Sequence, residues 1–117
     1  MELPKSLKIG GHNYKILFPY IFRERFDHYA QHDFAMKEIR VGSMDSGGQE
    51  RSDSAILVSF LHEVLHAIDY TTGHRIFEDN ERAVEGFSEG LYQILTDNNW
   101  LKDIMPKDDP MKIATGY

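Results

Sequence analysis

The sequence predicts an α+β fold, with a small sheet in the N-terminal half followed by two long helices. Two observations predict it. Between residues 7 and 41 the apolar residues come in short runs broken by glycine and polar residues, which is how strands and turns are written. From residue 52 onward they recur at three- and four-residue spacing over two long stretches, which is how helices that bury one face are written.

The elements follow in chain order. Leu7 to Ile9 and Tyr14 to Phe18 read as two strands around a tight turn, Gly10-Gly11-His12-Asn13. Phe22, Phe26 and Tyr29 stand near helical spacing and predict a short helix over residues 20–31. Phe34 to Val41 reads as one strand, with Ala35, Ile39 and Val41 on one face interrupted by Lys37, and fits an edge position. Gly42 to Arg51 is a loop rich in Gly and Ser.

The first long helix starts at Ser52 or Asp53, either of which can cap it, and ends near Gly73. Ile56, Leu57, Phe60, Leu61, Val64, Leu65 and Ile68 give it a wide apolar face. The second helix starts at Asp79 or Asn80 and runs to about Asn98, with Ala83, Val84, Phe87, Leu91, Ile94 and Leu95 as its core stripe. Residues 1–98 therefore form one domain. Residues 99–117, with Pro106 and Pro110, read as a C-terminal tail.

Composition narrows the function. The 117 residues contain no cysteine, so any metal must be held by histidine and carboxylate. Net charge is −6, and the acidic excess lies after residue 41. A nucleic-acid-binding face is therefore not expected. No apolar run reaches the roughly 20 residues of a membrane span, and the N-terminus lacks the apolar core of a signal peptide. A cytoplasmic protein with no membrane partner is the expectation.

His62-Glu63-Val64-Leu65-His66 is an HExxH motif inside the first long helix. Residues four apart differ by about 40° around a helix axis, so both imidazoles leave one face and can meet one ion. Glu63 sits at the rim of that face, placed to hold a water rather than the ion. Two histidines on a core-facing helix also occur as ordinary hydrogen-bonded groups, but burying both without partners is costly.

Zinc requires a third protein ligand, and two residues compete for it. His74 follows His66 by eight positions, whereas the metzincin pattern needs Gly at position 69 and His at position 72, where this chain has Asp69 and Thr72. Glu81 opens the second helix. A short connection makes the helices antiparallel neighbours, which brings Glu81 within reach of the histidine pair. A glutamate there also has a plain reading as a helix-start carboxylate.

Asn80-Glu81-Arg82-Ala83-Val84-Glu85 resembles the gluzincin motif Asn-Glu-x-x-x-Asp, with Glu85 standing where the motif has Asp. The stretch Glu81 to Leu91 also looks like the ligand helix of ImmA/IrrE-type metallopeptidases, small proteins common in phages and mobile elements. The resemblance covers residues 5–98 and is specific at the two helices. It implies a minimal zincin-like fold, one Zn2+ held by His62, His66 and Glu81, and a peptide or protein substrate. It also implies that the carboxylate at Glu85 orients a ligand histidine, a role for which Asp69 competes.

The expected chemistry is peptide hydrolysis with Glu63 as general base. Tyr70, His74 and Tyr92 are candidates to stabilise the oxyanion. His12, His28 and His32 read as ordinary surface or helix residues. The alternatives are a non-catalytic zinc-containing regulatory or interaction protein, and a SprT-like protein that uses His74.

Overall fold

A computed structural model describes residues 1–22 and 29–100. The fold is α+β, with a four-stranded mixed sheet and two helices in the order β1 (Ser6–Ile9), β2 (His12–Leu17), β3 (Ala30–Asp33), β4 (Glu38–Val41), α1 (Asp53–Thr72) and α2 (Glu81–Asp97). The strands lie in the order β1-β2-β4-β3, with β2 and β4 parallel and the other two pairs antiparallel. Among the described residues no helix is long and apolar enough to cross a membrane.

The first hairpin is tighter than the sequence suggested. Only Gly10 and Gly11 form the turn, both at positive φ (58° and 84°), the conformation that a two-residue hairpin needs and that glycine adopts freely. Gly10 carries a second constraint. A Cβ there would stand 2.7 Å from the Thr71 hydroxyl at the end of α1.

Alternation then selects the buried face. Tyr14, Ile16, Ile39 and Val41 point to one side of the sheet and meet Ile56, Leu57, Phe60 and Ala67 of α1. Full burial of such side chains contributes about 1.5–3 kcal/mol each, far more than helix propensity offers. Packing on the sheet therefore fixes where α1 lies.

Two expectations are corrected here. Of the helix expected over 20–31, residues 23–28 lie outside the described residues, but Ala30 and Gln31 are strand. The strand expected over 34–41 is β4 alone, preceded by a turn through residues 34–37. The Asp33 carboxylate accepts the Met36 amide at 3.0 Å, and Lys37 adopts φ 54°. This local side-chain bond outcompetes the ladder and leaves Ala35 exposed. β4 is consequently interior, and β3 lies at one edge of the sheet with β1 at the other.

The helix ends match their caps. Ser52 accepts the Ala55 amide, Gly73 closes α1 at φ 80°, and Asn80 accepts the Ala83 amide. α2 packs chiefly on α1 rather than on the sheet. It therefore buries only a narrow seam, with Val84, Ser88 and Leu95 buried and Leu91 half-buried. That spacing of four, three and four suits a helix pair. Phe87 and Ile94 of the expected stripe stay 62% and 43% exposed, as does Ile68 of α1 at 43%.

The connection between the helices is held from α1. Asp69 is buried, and its two oxygens accept the amides of Ile76 and Phe77 at 3.0 and 2.9 Å. Removing an acceptor that serves buried donors costs about 1–3 kcal/mol. Asp69→Ala should destabilise the chain by that amount in urea unfolding, and Asp69→Asn, which keeps one acceptor oxygen, by less. Equal stability of Asp69→Ala and wild type would refute the clamp.

Candidate metal centre

α1 is built with two working faces. At about 100° per residue, Phe60 and Ala67 point to the sheet, whereas His62 and His66 point away from it and towards α2. The two rings stand side by side with centroids 4.9 Å apart. Because α2 returns antiparallel after its clamped connection, its first residue, Glu81, arrives opposite them.

The carboxylate of Glu81 spans the pair. One oxygen lies 2.9 Å from Nε2 of His62 and the other 2.8 Å from Nε2 of His66. One ligand atom from each of the three residues lies within 4.8 Å of the others. Ligands at about 2.0–2.2 Å from a tetrahedral zinc stand about 3.4 Å apart, a separation that falls within the 4.8 Å that bounds these three atoms. Two imidazoles and a carboxylate also suit zinc chemically. Of the two third-ligand candidates, Glu81 is brought to the histidines. His74 is exposed beyond the end of α1 and is not in the group.

Glu63 lies on α1 between the histidine face and the sheet face, next to β3. Its carboxyl is pushed up to about 7, first by burial and then by the negative charge of Glu81, while a hydrogen bond from the His32 backbone amide opposes the shift. A carboxyl held there can both accept and return a proton near neutrality.

The two faces meet in a cleft of about 790 Å³, lined by His62, Glu63 and Glu81 together with Tyr29, Ala30, Ser59, Glu85 and Glu89. Glu85 therefore reaches the cleft. Among the described residues no hydrogen bond joins Glu85 to either histidine, and the oxygens of Asp69 serve the interhelix connection instead. The three donors considered for an oxyanion lie elsewhere. Tyr70 packs between Phe34 and Arg75, Tyr92 packs against the core, and His74 is exposed.

Sequence reasoning missed His32. It lies on β3, its ring is hydrogen-bonded to the buried Tyr14 hydroxyl at 2.9 Å, and burial together with the nearby His66 ring pushes its pKa down. The residues around it, Ala30-Gln31-His32-Asp33, carry no apolar alternation, so nothing in the pattern marked a strand. His12 is exposed on β2, and His28 is outside the described residues.

Comparison of the chain with known protein families, with curated proteins and with solved structures finds no match.

Two outcomes follow from this geometry. Zinc should bind at one ion per chain. His62→Ala, His66→Ala and Glu81→Ala should each lose more affinity than the roughly 10–100-fold that an outer partner is worth, and His74→Ala should lose none. Metal analysis after dialysis checks this, and metal loss on His74→Ala with retention on Glu81→Ala would reverse the assignment.

The second outcome concerns the metal-free protein. A carboxyl raised from about 4.5 to about 7 on folding binds more protons folded than unfolded between those values. Stability is therefore lost as pH rises through that window, by at most about 3 kcal/mol. Glu63→Gln removes this dependence. Urea unfolding in chelator should show the variant gaining on wild type between pH 5 and pH 8, and parallel curves would contradict the burial of Glu63.

Proposed function

We propose that this chain is a zinc-dependent metallopeptidase of the gluzincin kind, with a minimal zincin-like fold related to the ImmA/IrrE-type enzymes. The observation that carries the reading is the convergence of His62, His66 and Glu81 from two helices, with the non-ligand Glu63 beside them in an open cleft. A site that only stored a structural metal would have no use for that fourth group.

His62 and His66 would hold the ion through Nε2, and Glu81 through a carboxylate oxygen. Bound there, zinc supplies Lewis acidity and acidifies a water. Glu63 accepts a proton from that water on its carboxylate and delivers it to the nitrogen of the departing amine, so that acid and base are one group used twice.

The edge strand supports a peptide as substrate. β3 is an outer strand, and Ala30 lines the cleft beside Glu63. An extended peptide can pair with it there as an added strand. The regulatory reading keeps the same ligands but gives Glu63 no role.

Glu63→Gln separates the two. The substitution is nearly isosteric and should leave zinc content unchanged. General-base assistance is worth about 10²–10⁴-fold, and a group used twice should sit at the high end. Denatured casein, and slow self-cleavage after residue 99, give two readouts. Equal zinc and equal cleavage by wild type and Glu63→Gln would make the peptidase assignment untenable.

A further inference from the structure

We infer that Arg51 is a positioning residue for the substrate. Its guanidinium ties the start of β3 to α1 and so sets the width of the cleft in which a peptide would lie. For substrate binding the inference rests on the peptidase reading. The tie itself stands on geometry.

The first observation is where the guanidinium reaches. Arg51 lies in the loop between β4 and α1. Its amide donates to the Ser43 carbonyl at 2.8 Å, which fixes the point from which the side chain departs. Nη1 donates to the carbonyls of Tyr29 and Gly42 at 3.3 and 2.9 Å. Nη2 donates to the Ala55 carbonyl at 3.1 Å and to the Ser59 hydroxyl. One nitrogen therefore serves the sheet and the other serves the helix. The sheet side is itself joined, because the Gly42 amide donates to the Tyr29 carbonyl at 2.8 Å. The guanidinium also lies over the Tyr29 ring, 4.6 Å from its centroid, within the range of cation–π attraction.

The second observation is what is held. Tyr29 and Ser59 both line the cleft. Ser59 stands one helical turn before Glu63 on α1, and Tyr29 immediately precedes Ala30, the β3 residue beside that cleft. Arg51 thus joins the helix wall to the strand wall. Its hydrogen-bond partners include neither the candidate ligands nor Glu63.

The third step is why the residue is arginine. A guanidinium presents its donors in a rigid planar fork, whereas lysine offers a point charge on a flexible stem. Only the fork can hold carbonyls of two elements at a set separation. A peptide that adds to β3 needs that separation. The ion and its base need it less, since their side chains are carried by α1 and α2. Loosening the tie should therefore weaken binding and spare the chemical step.

Arg51→Ala removes the tie, and Arg51→Lys keeps a charged stem without the fork. Both should retain one zinc. With denatured casein, Arg51→Ala should raise KM about tenfold and leave kcat within about twofold, and Arg51→Lys should resemble it rather than wild type. A residue that merely supported the fold would change neither constant in a folded variant. Independently of activity, the Gly42 amide shares the Tyr29 carbonyl with Arg51. Its hydrogen exchange in Arg51→Ala should accelerate about tenfold more than that of Ala67 in α1, which controls for global opening.

An acceleration at Gly42 no larger than at Ala67 overturns the inference. So does a zinc-loaded Arg51→Ala with the KM of wild type, or a loss that falls on kcat instead. If wild type cleaves nothing, the substrate role fails with the peptidase reading, and exchange at Gly42 still decides the tie. If Arg51→Ala does not fold, Arg51→Lys is read in the same two assays against the same outcomes.

Discussion

One helix has to satisfy two demands that pull in different directions. α1 must bury Ile56, Leu57, Phe60 and Ala67 against the sheet, because that is where most of the apolar burial is found. It must also project His62 and His66 towards α2. Helical rotation reconciles the two, since the histidines leave the helix roughly opposite Phe60. Glu63 then has no free choice of place. It falls on the boundary, beside β3, where burial and the nearby Glu81 raise its pKa. The character of the carboxyl is thus a consequence of how α1 packs.

The geometry of the three candidate ligands is set by packing and not by their mutual attraction. Glu81 is 65% exposed at its side chain, and an ion pair so open to water is worth at most about 1 kcal/mol. That is too little to pull two helices together. What brings Glu81 to the histidines is the seam of Val84, Ser88 and Leu95, the cap at Asn80, and the turn that Asp69 holds by two amides. Asp69 was a candidate to orient a histidine, and it does something more basic by fixing the entry of the ligand helix.

The legible parts of the fold are those governed by strong local rules. The caps at Ser52, Gly73 and Asn80 are written in residue type, and so is the two-glycine hairpin. The ligand group was legible because helical spacing and a short connection suffice to bring residues 62, 66 and 81 together. The turn at Phe34–Lys37 was hidden, because Ala35, Lys37, Ile39 and Val41 imitate a single alternating strand while one bond from Asp33 breaks it. The exposure of Phe87 and Ile94 was hidden too, since periodicity marks an apolar face but not how much of it a single neighbouring helix can cover. His32 was illegible for a different reason. Its ring reaches the Tyr14 hydroxyl only because β3 pairs with β4, and no apolar alternation marks β3 as a strand.

The edge of the sheet draws these threads together. An exposed strand edge invites pairing with other chains, and the sheet has two, β1 and β3. β3 has only four residues, and its inner face is tied to β4 through Gln31 and Asp33. The His32 backbone beside Glu63 opposes the rise that burial gives its carboxyl. Ala30 lines the cleft beside the candidate ligands. The outer side of β3 is thus where an extended chain could lie within reach of Glu63.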